Sequence, residues 1–224
     1  MWAVRRCSFC TGAAALVCVV LTLAQQPSLE SRSVPSFGTT VVASLGLRGE
    51  VYLLPVGTNA LPRFRHRQPV GTIYTTSLNI PPRDFREGFP GLTDRIEWFA
   101  IDYTGRFWIE QAGHYRFALY SDDGSKLYLD HRLIIDNDGV HSPSGCRAAV
   151  ELAHGVHTIR VSYFQGPRYQ VALILAVAKP GEPWRVFDTR DFMPPADSTG
   201  EATRSGEHTK KPVRKIEGGS CWAQ

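Results

Sequence analysis

The chain is predicted to be all-β, an antiparallel β-sandwich or barrel with inserted loops. Three observations predict it. Between about residues 45 and 195, short runs rich in Tyr, Phe, Ile and Val alternate apolar with polar residues. Turns carrying Gly and Asp separate these runs. No window shows a sustained helical period; the nearest, Ala13 to Leu23, belongs to an export signal. Period-two alternation of aromatic and β-branched residues suits a pleated, half-buried surface.

The elements follow in order. Leu47 to Leu54 alternates as a half-buried strand. Pro55 to Pro82 carries repeated Pro and Gly breaks, so it reads as loops with one short strand near Thr72 to Thr76. Ile96 to Tyr103 is a strand run, bent at Thr104-Gly105 and resumed over Arg106 to Ile109. Ala112-Gly113 turns the chain into His114 to Tyr120. Lys126 to Asp130, Leu133 to Asp136, Ala148 to Leu152, His157 to Phe164 and Tyr169 to Ala178 complete the set, and Trp184 to Asp188 reads as a closing strand.

The ends differ in texture. Arg5 and Arg6 precede an apolar run from Gly12 to Ala24, and Thr22-Leu23-Ala24 carries small residues where a signal peptidase reads. Residues 1–24 are therefore expected to be a cleaved signal peptide, with the protein periplasmic or extracellular and the membrane involved only during export. Residues 25–44 read as a linker, 45–195 as the β domain and 196–224 as a disordered tail. That tail carries few apolar residues to offset its ordering entropy. With Cys7, Cys10 and Cys18 in the signal, Cys146 and Cys221 remain. Whether they pair is open, because an exported pair can bond but Cys221 stands in the segment read as disordered.

The 224 residues are 43% hydrophobic and 21% charged, with a formal net charge of +4. Part of that charge sits in the signal and the tail, at Arg5, Arg6, Arg204, Lys210, Lys211, Arg214 and Lys215. A nucleic-acid partner is not expected, since such binders place their charge on the folded part.

The densest chemistry lies between Ser121 and Asp138. Two apolar runs flank Asp130-His131, which reads as a two-residue hairpin turn with positive φ at both centres. With that turn, Leu129 pairs with Arg132, Asp123 faces Asp138 and Gly124 faces Asn137. The adjacent carboxylates Asp122 and Asp123 then meet Asn137 and Asp138 at one open end. Such a cluster of hard oxygens reads either as a calcium site or as turn chemistry. Two neighbouring carboxylates exceed what a turn requires.

This stretch resembles the protective-antigen-type domain, a family named for the amino-terminal fragment of the anthrax toxin component. The resemblance rests on Gly113-His114-Tyr115-Arg116-Phe117, Ser121-Asp122-Asp123-Gly124, Leu127-Tyr128-Leu129-Asp130 and Asp136-Asn137-Asp138-Gly139-Val140-His141. It extends through Leu152 to Phe164, with Gly46 to Glu50 similar to the opening strand, and covers about 45–195. It implies a β-barrel or sandwich that is usually a non-catalytic carbohydrate-binding or adhesion module. It also implies that Asp122 and Asp123 hold calcium, which grips sugar hydroxyls. The expected ligand-binding set is Asp122, Asp123, Asn137 and Asp138, and the expected partner is a glycan or cell-surface polysaccharide. Two departures are Asp138, where the family carries an aromatic, and His131, where it carries a hairpin Gly. Members without sugar binding make a structural or protein-interaction module the alternative.

No His-Glu-x-x-His, Gly-x-Ser-x-Gly or Gly-x-x-x-x-Gly-Lys motif occurs, and adjacent Asp122 and Asp123 cannot flank a scissile glycosidic bond. Catalysis is therefore not expected. His141, His154 and His157 raise zinc as a lesser possibility. Trp98, Trp108, Tyr115 and Tyr128 alternate on strands and are expected in the core, whereas Tyr103, Tyr169 and Trp184 stand nearer strand ends, where a sugar ring could stack.

Overall fold

Period-two alternation becomes two antiparallel sheets packed face to face. The computed structural model describes residues 46–92, 95–195 and 213–223. The first sheet runs in the order β2 (Gly71–Thr75), β1 (Leu47–Leu53), β4 (Phe99–Ile109), β9 (Gly155–Gln165), β6 (Ser125–Leu129) and β7 (Arg132–Asn137). The second runs β11 (Arg185–Val186), β10 (Gln170–Ala178), β5 (Gly113–Asp122), β8 (Ser144–Leu152) and β12 (Arg214–Ala223), with β3 (Asn79–Asp84) also paired to β10. Helical structure among the described residues is confined to the 3₁₀ turns Phe64–His66, Phe85–Glu87 and Thr189–Phe192. No helix among them is long and apolar enough to cross a membrane.

The core lies between the sheets, as alternation requires. Ile101, Tyr103, Phe107, Ile109, Ile159, Val161 and Tyr163 face inward from β4 and β9. Phe117, Leu119, Val150, Leu173 and Leu175 meet them from the second sheet. Gly49 and Gly105 keep this interface close: a Cβ at Gly49 would lie 2.6 Å from the Tyr103 ring, and one at Gly105 2.8 Å from Leu47. A smaller apolar cluster of Tyr52, Leu54, Phe64, Ala100 and Phe164 seats the 54–70 loop, with Leu61 and Trp98 against it.

The hairpin turn is present, with Asp130 at φ 44° and His131 at φ 65°, and Leu129 pairs with Arg132. Its register differs further along. A bulge sets Leu127 opposite Ile135 and Tyr128 opposite Leu133, so Ser125 faces Asn137. The expected pairing of Asp123 with Asp138 and Gly124 with Asn137 is thus off by one. Ile134, which turns inward to the core, is the extra residue. Asp130 also pins the turn to β9: its carboxylate accepts from Thr158 N at 2.8 Å and lies 2.7 Å from His157 Nδ1. His157 is fully buried, with Nε2 2.8 Å from the Ala153 carbonyl.

Other expectations need correction. Pro55 to Pro82 holds a second strand start, because β3 begins at Asn79 and carries Pro81 and Pro82. Prolines are tolerated there since β3 lies at an edge, and its ladder to β10 shifts register between Val171 and Leu173. β4 begins at Phe99 rather than Ile96. Trp98, Trp108 and Tyr128 are only partly buried, because they point to the outer side of the first sheet or precede it; Tyr115 is in the core. Residues 213–223, expected in a disordered tail, instead include β12 on the edge of β8, and Cys221 stands opposite Cys146 and is bonded to it. Composition misleads there because backbone pairing, a disulfide and burial of Val213 order a polar segment. The expected signal peptide 1–24, the linker 25–44 and tail residues 196–212 lie outside the described residues.

Candidate functional site

Four chain segments converge at one end of the sandwich. β5 finishes at Asp122, β6 starts at Ser125, β9 runs out at Gln165, and the loop after β7 passes through His141. The Asp122–Asp123 peptide is cis. Gly124 allows the crossing from one sheet to the other: its carbonyl accepts from Phe164 N at 2.9 Å, and a Cβ there would lie 2.3 Å from the Phe164 ring. The Tyr163 hydroxyl fastens the turn from below, 2.7 Å from the Asp122 carbonyl and 2.5 Å from Gln165 Oε1.

Asp122 and Asp123 are 5% and 3% exposed, which makes them a buried carboxylate pair. Asp123 Oδ2 accepts from Gly166 N at 2.7 Å and from Gln165 Nε2 at 3.4 Å, while Oδ1 accepts from His141 N at 3.1 Å. Burial, with the neighbouring Asp123 carboxylate second, pushes the Asp122 carboxyl up to about 7. Burial also raises Asp123, against the pull of the Gly166 and His141 amides. Neither carboxylate has a salt bridge among the described residues. Lys126, a cation near this end, is engaged by Asp138 at 3.0 Å and Asp136 at 3.3 Å. The His141 ring nitrogens face the Asn137 and Ser142 carbonyls at 3.0 and 2.9 Å.

The four expected ligands are therefore not equivalent. The structure brings Asp122 and Asp123 together. Asn137 is buried beside them, and its amide donates to Ser121 Oγ at 3.1 Å and the Ser144 carbonyl at 3.2 Å. The Asp138 carboxylate accepts from the amides of Leu61 at 2.8 Å and Gly139 at 2.9 Å and pairs with Lys126. It ties the 54–70 loop to the hairpin. No group of three or more His, Cys, Asp or Glu side chains disposed to hold a metal occurs among the described residues. A cation here would rest on two carboxylates plus neutral oxygens. The zinc possibility finds no cluster: His154 packs edge-on against Trp108, away from buried His157 and from His141.

The aromatics expected near strand ends differ in access. Tyr103 is fully buried and can stack on nothing external. Trp184 is exposed but lies under Arg116, near the opposite end of β5 from Asp122. Tyr169 is 81% exposed, in the loop that supplies Gly166. Its φ of 149° and that of Trp98, 58°, are unusual for bulky residues, and both flank this loop. Positive φ in such residues costs about 1–3 kcal/mol each and clusters at ligand clamps. Gln165 and Gly166 were not anticipated from the sequence. The Gly166-Pro167 break after an alternating strand was the available signal.

Residues 84–186, from the end of β3 to β11, match the PA14 domain family. No curated protein sequence matches the chain. Among solved structures, the chain is similar to the PA14 domain of the MpAFP antifreeze protein, at 18% identity and a TM-score of 0.54, covering 69% of this chain and 94% of that one. It is similar to a PA14 sugar-binding domain from an RTX adhesin, also at 18% identity and TM-score 0.54, covering 66% and 97%. An anti-sigma factor domain-containing protein matches at 20% identity and TM-score 0.53, covering 68% and 49%, so the chain spans about half the length of that protein. At these identities the likeness is one of fold.

Proposed function

We propose that this chain is an exported, non-catalytic carbohydrate-binding or adhesion module, with calcium at Asp122 and Asp123 assisting recognition of glycan hydroxyls. One observation carries the reading: two carboxylates are buried side by side and, among the described residues, no cationic side chain forms a salt bridge with them. A buried charge without a partner is expensive, and a hard divalent cation on carboxylate oxygens is a natural compensation. The PA14 match and the likeness to a PA14 domain described as sugar-binding support the same reading.

The residues fit such an ion in part. Asp122 and Asp123 would hold it, and Gln165, Gly166 and the His141 amide fix the Asp123 carboxylate that faces it. When bound, calcium supplies a positive centre that takes polarised hydroxyl oxygens. Tyr169 offers an exposed ring on the neighbouring loop for the apolar face of a sugar. Asn137 and Asp138 act as supports, holding the hairpin end against β8 and the 54–70 loop. A glycan array probed with and without calcium tests this function. Binding that requires calcium and is lost in Asp123→Asn is expected. A protein that binds calcium but no glycan would instead favour the structural or protein-interaction alternative.

A further inference from the structure

The outer face of the first sheet carries a second concentration of chemistry, away from the acidic pair. Antiparallel register sets Arg106 on β4 opposite Thr158 on β9, and Thr104 opposite Arg160. The two arginines thus lie on a diagonal, with Cβ atoms roughly 7–8 Å apart or less. Tyr128 on β6 stands opposite Arg160 on its other side, and His131 sits at the hairpin turn beyond. These side chains line a groove of about 500 Å³, within the usual range for small-ligand sites.

The two guanidinium groups are held differently. Arg160 is positioned: its Nε donates to Asp102 at 2.7 Å, and its guanidinium lies 5.6 Å from the Phe64 ring centre and 5.2 Å from that of Tyr128. Its Nη groups make no hydrogen bond among the described residues. Arg106 is exposed and has neither an ion pair nor a hydrogen bond among them. Other cations of this face are answered, Arg48 by Glu50 and Lys126 by Asp136 and Asp138. Asp102 serves Arg160, the Asp130 carboxylate is engaged by Thr158 and His157, and among the described residues neither pairs with Arg106.

We propose that this groove is a binding site for an acidic saccharide, one bearing carboxylate or sulfate. A guanidinium fork matches such groups with paired hydrogen bonds. The Thr104 and Thr158 hydroxyls donate to the Arg48 carbonyl and to Asp130 and keep lone pairs that can accept from sugar hydroxyls, and the Tyr128 ring beside Arg160 suits a pyranose face. Two arginines on a mildly basic chain make a poor track for a nucleic-acid backbone. The site shares no residue with the acidic pair and needs no calcium, so it stands or falls independently of the function proposed above.

Calorimetric titration of the full, disulfide-bonded chain in EDTA tests it, with a galacturonate oligosaccharide as probe and its methyl ester as neutral control. The acid is expected to bind about tenfold or more tighter than the ester, and more weakly as salt is added. Arg106→Gln is expected to weaken binding about tenfold at unchanged melting temperature, since Arg106 makes no ion pair among the described residues. Asp122→Asn is expected to leave it intact. Equal affinity for acid and ester would overturn the proposal, as would full affinity in Arg106→Gln. Tighter binding of a single-stranded oligonucleotide than of the galacturonate would overturn it too.

Discussion

Gly124 has no room for a side chain. Its φ is not in the left-handed region, so the constraint is space rather than backbone conformation. Instead a Cβ would meet the Phe164 ring at 2.3 Å, Gly139 N at 2.8 Å and Asp138 Oδ1 at 2.9 Å. The Phe164 ring belongs to the cluster under the 54–70 loop, and Gly139 belongs to the loop that aims the His141 amide at Asp123. Gly124→Val is expected to destabilise by about 1–3 kcal/mol through overpacking. Thermal denaturation should show a loss of several degrees. An unchanged melting temperature would mean that Phe164 swings aside freely.

At the scale of elements, β12 closes one edge of the second sheet. Without it, β8 would present a row of unpaired backbone groups and Cys146 would lie open. The Cys146–Cys221 bond joins residues 75 apart, and in the chain-entropy model a loop of that length is worth about 4.5 kcal/mol. Cys146→Ser is therefore expected to lower the melting temperature by several degrees. It should also make the segment after residue 195 the first to be cut in limited proteolysis, and a reductant should reproduce both effects on the parent protein. A variant as stable as the parent would assign the ordering of β12 to backbone pairing alone. The β6–β7 hairpin is a second example of an element held by a remote contact, through Asp130 on His157 and Thr158 of β9.

For the whole molecule, the acidic pair is expected to couple stability to pH and, under the function proposed above, to calcium. The Asp122 carboxyl sits at about 7 in the fold against 3.8 ordinarily, so the folded state keeps a proton that the unfolded chain has released. Stability then falls as pH rises from about 4 to about 7 and is level in this respect above that. In chelator, the melting temperature is expected to decline across that window, and Asp122→Asn should flatten the decline. Calcium needs the ionised pair, so millimolar calcium is expected to raise the melting temperature more at pH 8 than at pH 5. At a hundredfold excess over its dissociation constant, that stabilisation is about 2.7 kcal/mol. A calcium effect equal at both pH values would place the ion elsewhere, and no effect at either would leave the pair as turn chemistry.

The sequence by itself determined the all-β class, most strands, the Asp130-His131 turn and the closeness of Asp122 and Asp123. Each follows from local rules: alternation with period two, turn residues that accept positive φ, and adjacency in the chain. Tertiary structure alone decided the rest. The Ile134 bulge shifted the hairpin register because the core took an extra apolar residue, and nothing local marks such a choice. Asp138 was drawn to Leu61, 77 residues away, and Lys126 was drawn to Asp138. The arginine–threonine square exists only because β4 and β9, far apart in sequence, pair in one register. A polar tail became a strand because an edge and a cysteine awaited it. Composition reports whether a segment can bury itself, but not whether another segment offers it hydrogen bonds and a covalent tie.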